Sequence, residues 1–189
     1  SATIYKEKRI LAGNNISLSC HLPHVKNFVF IIWRIQTLEI CYISKMADSK
    51  ITSTCKDRIS IPTTPKCEWS LQILSVEPRD EGHYTCETVA QEGTYTLNIT
   101  VTVLVPPQVD LYGKNGVAVC TAYDSKPAAN ISWIPSGNYT TEETVNENGT
   151  VTVNSTYRAG PSPVENLTCI ITHPAFVHYN KTISISLKG

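Results

Sequence analysis

Net charge is what this sequence most plainly lacks: 16 basic residues are balanced by 16 acidic ones in a chain of 189. Divided at residue 105, the first part holds 11 basic against 10 acidic residues and the second 5 against 6. Neither part offers the basic surface that attracts nucleic acid or an anionic membrane. No stretch of 18 apolar residues occurs, so no segment qualifies as a membrane-crossing helix, and no signal peptide opens the chain. The expectation is an ectodomain separated from its anchor, with a secreted protein as the other reading. Reactive groups are missing as well. No Gly-rich phosphate loop follows a strand, and Ser, His and Asp stand in no nucleophile-elbow pattern. His21 and His24 lie beside Cys20 at a metal-like spacing, but two ligands without a third make no zinc site. His173 and His178 read as solvated loop positions. Without a catalytic set, a metal site or a cofactor motif, the sequence reads as a binding module and not as an enzyme.

What is present is cysteine, seven residues of it, in a pattern. Cys20, Trp33 and Cys86 form one set, and Cys120, Trp133 and Cys169 a second. Each tryptophan follows its first cysteine by 13 residues. In an immunoglobulin sandwich the cysteines of strands B and F join the two sheets, and a strand C tryptophan packs on the bridge. Asp80-Glu81-Gly82-His83-Tyr84-Thr85-Cys86 adds a tyrosine corner, with Tyr84 two residues before the cysteine. The fold class is therefore all-β, two immunoglobulin-like sandwiches in tandem, with bridges Cys20–Cys86 and Cys120–Cys169. Leu104-Val105-Pro106-Pro107 marks the junction, because two prolines cannot both donate to a ladder. Residues 1–105 are expected to form a variable-type, ligand-reading domain, since the 66-residue cysteine spacing leaves room for strands C′ and C″. Residues 106–189, with a 49-residue spacing, are expected to form a constant-type spacer.

Cys41 and Cys55 flank the C′–C″ hairpin and are expected to pair in an oxidising compartment, two buried free thiols being the other reading. Cys67 is left over, either a buried thiol or a point of intermolecular pairing. Eight Asn-x-Ser/Thr sequons, at Asn15, Asn98, Asn130, Asn138, Asn148, Asn154, Asn166 and Asn180, mark a glycoprotein. Side chains alternate along a strand, so Asn15 lies opposite Ile16 and Leu18, Asn130 opposite Trp133, and Asn166 opposite Leu167 and Cys169. Six of the eight fall in the second domain, which points to the first as the recognition unit.

Strand expectations in the first domain are C over Phe28–Gln36, C′ over Leu38–Lys45 and D over Arg58–Ile61. E, F and G follow over Ser70–Ser75, Gly82–Ala90 and Thr94–Leu104. Arg58 and Asp80 are placed to pair across the bottom of the domain. With Trp33, Cys86 and Ile99 inward, Phe30, Ile32 and Arg34 of strand C point out. So do Thr85, Glu87 and Val89 of strand F, and Thr96, Asn98 and Thr100 of strand G. Gln91, Glu92, Gly93 and Tyr95 are assigned to the F–G loop. Phe30, Ile32 and Val89 beside Arg34 and Glu87 have the make-up of an interface core with charged selectors.

Ser125-Lys126-Pro127-Ala128-Ala129-Asn130-Ile131-Ser132-Trp133 and Asn148-Gly149-Thr150-Val151-Thr152-Val153 resemble the second domain of the OX-2 membrane glycoprotein (CD-200) receptors. Tyr84-Thr85-Cys86-Glu87-Thr88-Val89, Glu92-Gly93 and Leu104-Val105-Pro106-Pro107 are similar to the first, and Cys41 and Cys55 fall where that family has cysteines. The resemblance implies the extracellular portion of a type I cell-membrane receptor of myeloid or mast cells. It also implies contact with a cell-surface immunoglobulin-superfamily ligand, OX-2 or a related protein, through the G-F-C-C′ face. Two departures stand out. The family's extra second-domain cysteine pair is replaced by Tyr139 and Tyr157, and Asn98 adds a sequon to the contact face. Both lean toward a receptor-like paralogue of the activating branch, which signals through an adaptor bound at the membrane segment and binds OX-2 weakly or not at all. An inhibitory receptor that binds OX-2 directly, a homophilic adhesion module and a secreted or viral decoy are the alternatives.

Overall fold

The computed structural model describes residues 2–20, 28–47, 50–62, 69–162 and 164–187. Cys67, His21 and His24, singled out above, lie outside the described residues. The chain divides into two units, Ser1–Val103 and Leu104–Gly189.

The first unit runs β1 (Ala2–Leu11), β2 (Ile16–Leu18), β3 (Phe28–Gln36), β4 (Ile40–Met46), β5 (Ile51–Ser53), β6 (Ile59–Ser60) and β7 (Leu71–Ile73). A 3-10 turn, Pro78–Asp80, then leads into β8 (Gly82–Ala90) and β9 (Gly93–Leu104). One sheet has the order β1-β9-β8-β3-β4-β5 and the other β2-β7-β6. This is the variable-type arrangement, with β4 and β5 as the extra strands C′ and C″. Alternation along β3 buries Ile31, Trp33 and Ile35 against Leu18, Leu71, Ile73 and Tyr84. Cys20–Cys86 ties the two sheets through this core, and Cys41–Cys55 staples β4 to the segment after β5. Strands C and F have the expected bounds. Strand C′ starts two residues late, because Thr37 closes a turn on the Glu39 carbonyl at 3.1 Å and leaves Leu38 exposed. Strand E is trimmed to Leu71–Ile73, ended by Ser75 in the left-handed region at φ 51°.

The tyrosine corner closes as its spacing requires, the Tyr84 hydroxyl donating to the Asp80 carbonyl at 2.5 Å. Burial pushes the Tyr84 phenol well above its ordinary value. Gly82 is obligatory for steric reasons: a Cβ there would sit 2.3 Å from the Gln36 carbonyl oxygen. Arg58 and Asp80 do pair, Nη2 and Nη1 donating to the carboxylate at 2.9 Å and 3.1 Å.

The second unit comprises β10 (Gln108–Lys114), β11 (Val117–Ser125), β12 (Asn130–Ile134), β13 (Asn138–Val145), β14 (Val151–Arg158), β15 (Leu167–Thr172) and β16 (Lys181–Ile185). Its sheets, β10-β11-β14-β13 and β12-β15-β16, have the four-plus-three strand division of a constant-type domain. Cys120–Cys169 bridges them beside Trp133, whose indole donates to Ser155 Oγ at 2.8 Å. Tyr139 and Tyr157 are direct cross-strand partners on β13 and β14. The Tyr157 ring packs on Trp133 at 5.3 Å between centroids. Of the two tyrosines, Tyr157 is buried and Tyr139 is exposed.

His173 corrects one expectation. It is no solvated loop residue but 3% exposed, while His178 is exposed. Its ring lies edge-on to Phe176 and is clamped by backbone on both sides: Nε2 lies 3.0 Å from the Pro127 carbonyl, and Nδ1 accepts the Ala175 N–H at 3.1 Å. A nitrogen that accepts cannot also be protonated, so this contact requires the neutral ring. Burial accordingly lowers its pKa, against the raising effect of the Pro127 and Lys126 backbone. A histidine with a lowered folded pKa adds stability that is complete above about pH 6.5 and fades as pH falls toward the folded value. Calorimetry of the whole chain is therefore expected to show the second domain's transition moving down between pH 7.5 and pH 5. In His173→Gln that extra slope disappears, and an unchanged slope would contradict the buried neutral ring.

Candidate ligand-recognition face

The outward side of the β9-β8-β3-β4 sheet is laid out by strand register, and its cross-strand rows define the candidate site. Met46 and Val89 flank Phe30 in one row. Ser44, Ile32 and Glu87 form the next, with Thr96 beside Glu87. Tyr42, Arg34, Thr85 and Asn98 make the third, and Ile40, Gln36, His83 and Thr100 the fourth. Phe30, Ile32 and Val89 are half-buried by their neighbours, with Met46 exposed beside them. Arg34 donates to Glu87 Oε2 at 3.1 Å, with side chains 52% and 36% exposed. That pair is a weak stabiliser of the fold in water and remains available to select a partner's charges. Thr85 Oγ1 donates to Asn98 Oδ1 at 2.7 Å.

The structure brings together Phe30, Ile32, Arg34, Thr85, Glu87, Val89 and Asn98 on one surface, and leaves Gln91 and Glu92 exposed at the β8–β9 turn. Tyr95 differs from expectation. The turn is tight, with Ala90 paired to Gly93, so Tyr95 lies within β9 on the same register as inward Leu97. There it packs with Phe28 and Ala90 at the end of the core and does not face a partner. Three face residues escaped the sequence reading: Ile40, Tyr42 and Met46, all exposed on β4. The signal for them was present, since Cys41, once assigned to a disulfide, fixes the inward register of that strand and turns its neighbours out.

Of the eight sequon asparagines, six are exposed, and Asn98 and Asn154 are half-exposed. Asn154 accepts from Thr121 at 2.5 Å as Asn98 does from Thr85. Among the described residues, no group of three or more His, Cys, Asp or Glu side chains could hold a metal ion. No helix among them is long and apolar enough to cross a membrane.

Residues 7–106 match the immunoglobulin V-set domain, and residues 97–179 the CD80-like C2-set immunoglobulin domain. The chain is 36% identical to chicken cell surface glycoprotein CD200 receptor 1-B over 182 residues, covering 94% of this chain and 73% of that protein. The extracellular portion of mouse CD200RLa superposes with a TM-score of 0.86 at 36% identity, covering 96% of this chain and 98% of that one. The chain belongs to the CD200 receptor family. Mouse CD200 receptor 5 is 39% identical over 93% of the chain. Bovine butyrophilin, at 17% identity and a TM-score of 0.67, shares the fold alone. The chain spans 66% of mouse CD200 receptor 5 and 55% of mouse CD200 receptor 1. It is thus a CD200 receptor-like ectodomain of the immunoglobulin superfamily, a class of cell-surface receptors and not of enzymes.

Proposed function

We propose that this CD200 receptor-like chain regulates the activation of myeloid cells by binding a cell-surface immunoglobulin-superfamily ligand through the outer face of β9, β8, β3 and β4. The observation that carries this reading is the mixed patch: Phe30, Ile32, Val89 and Met46 contiguous across three strands, bordered by the Arg34–Glu87 pair. Apolar centre and charged border are the anatomy of a protein interface. The molecule is a type I receptor of the activating branch, coupled to a signalling adaptor through its membrane segment. The loss of the second-domain cysteine pair at Tyr139 and Tyr157 and the sequon at Asn98 support that placement, since both set the chain apart from the family pattern.

A glycan on Asn98 stands on the β9 side of the face and opposes a partner that covers the whole sheet. CD200 itself is therefore bound weakly or not at all. Surface-plasmon measurements with multivalent CD200 ectodomain check this, because multivalency raises weak binding into view. Little binding is expected by the parent chain and clear binding by Asn98→Gln. Strong binding by the parent contradicts the glycan shield, and silence from both places the divergence in the face itself.

A further inference from the structure

We infer that the groove floored by Asn98 and Thr100 seats the innermost N-acetylglucosamine of a glycan carried on Asn98, holding it over β1 and away from the β3–β4 side of the face. Two of the sequon's three residues form this floor. The groove encloses about 490 Å³ and is walled by Tyr5, Lys6 and Glu7 of β1 and by His83 of β8. That size suits a single small ligand.

The amide of Asn98 is already oriented for such an attachment. Its oxygen accepts from Thr85 Oγ1 on β8, at 2.7 Å. The nitrogen is the other arm of the trigonal carbon, and β1 is the strand on the side of β9 opposite β8. No described hydrogen bond uses that nitrogen, and an N-linked sugar leaves the oxygen free to keep its bond to Thr85. Thr100 is held in turn, its hydroxyl 3.3 Å from His83 Nδ1. Tyr5 is 76% exposed, a large aromatic without a packing role at the rim of a polar groove. The negative face of its ring suits the C–H face of a pyranose. Glu7 shares the Tyr5 side of β1 by strand alternation and, with His83, supplies hydrogen-bonding groups for the acetamido and hydroxyl groups.

The consequence for recognition follows from the row layout. A sugar lodged over β1 and β9 takes the G-strand side of the face and leaves Phe30, Ile32 and Met46 uncovered. The proposed partner then has its footprint centred on β3 and β4, with Val89 of β8 at its edge. This last step rests on the proposed function, while the sugar seat does not.

The test uses the whole chain from mammalian cells with ¹³C-labelled N-acetyl groups, glycopeptide mass spectrometry reporting occupancy. Thr100→Val, which removes the sequon, assigns the Asn98 methyl signal. That signal is expected to be shifted upfield from the other N-acetyl methyls and to show a nuclear Overhauser effect to the Tyr5 ring. In Tyr5→Ser, with Asn98 still occupied, it is expected to return to the common position. An unoccupied Asn98 overturns the proposal. So does an occupied one whose signal lies with the others, or does not move in Tyr5→Ser. Because no partner is present, a sugar that is attached but not seated leaves the recognition reading standing, whereas an unoccupied Asn98 removes the glycan shield as well; failure of the recognition reading leaves this result intact.

Discussion

Replacing Arg58 by methionine is expected to cost the first domain about 3 kcal/mol, the low end of the range for breaking a buried ion pair. Asp80 is almost wholly buried, and its carboxylate accepts both Arg58 nitrogens as well as the Glu77 N–H at 2.7 Å. The same guanidinium donates to the Leu74 carbonyl at 3.0 Å and the Ser75 carbonyl at 3.3 Å. Methionine keeps much of the stem but leaves the carboxylate and both carbonyls without their donor. The Arg58 side chain is 27% exposed, so water relieves part of the loss and sets the estimate at the lower end. Calorimetry of the whole chain checks this, the first domain's transition falling while the second stays in place. Asp80→Asn in the same chain is expected to recover part of the loss, because the group left behind is then uncharged. A cost below about 1 kcal/mol would make the pair an ordinary surface bridge. The effect reaches the binding face through chain connectivity: the turn that Asp80 anchors starts β8, which carries Thr85, Glu87 and Val89.

Phe30→Asp is expected to weaken partner binding by at least about thirtyfold, the loss of one central interface anchor worth about 2 kcal/mol or more. Phe30 lies between Met46 and Val89 in its row, so the substitution sets an ionised carboxylate into the centre of the apolar patch. Its own domain should barely respond. Phe30 is on the outer side of β3, whereas the core is built by Ile31, Trp33 and Ile35 on the inner side. Most of the effect should appear in the dissociation rate, where changes to one interface usually fall.

Much of this architecture was legible because its determinants are local and periodic. The Cys–Trp–Cys sets and the tyrosine corner named both sandwiches, and alternation from Trp33 and Cys86 phased β3 and β8 correctly. What escaped depended on three-dimensional neighbours. The burial of His173 needs a partner for each ring nitrogen, and one of them, the Pro127 carbonyl, lies 46 residues away in sequence. Tyr95 follows Glu92-Gly93-Thr94 and reads as loop, yet a two-residue connection lets β9 begin at Gly93 and turns the ring inward. The β4 contribution to the face is different in kind, since the expected Cys41–Cys55 pair already carried its phase. The sugar groove joins β1 to residues almost a hundred positions later, a juxtaposition no local pattern reveals.

On the proposed reading, the outer face of β9, β8, β3 and β4 recognises a protein partner. This is tested most directly by staining, with the multivalent chain, a panel of cells that each display one immunoglobulin-superfamily ectodomain, CD200 among them. Phe30→Asp is compared with Glu142→Asn, which places a new sequon, Asn-Glu-Thr, on exposed β13 of the second domain. Staining of at least one partner is expected, abolished by Phe30→Asp and unchanged by Glu142→Asn. Staining that survives Phe30→Asp, or that the second-domain glycan removes instead, would contradict that reading.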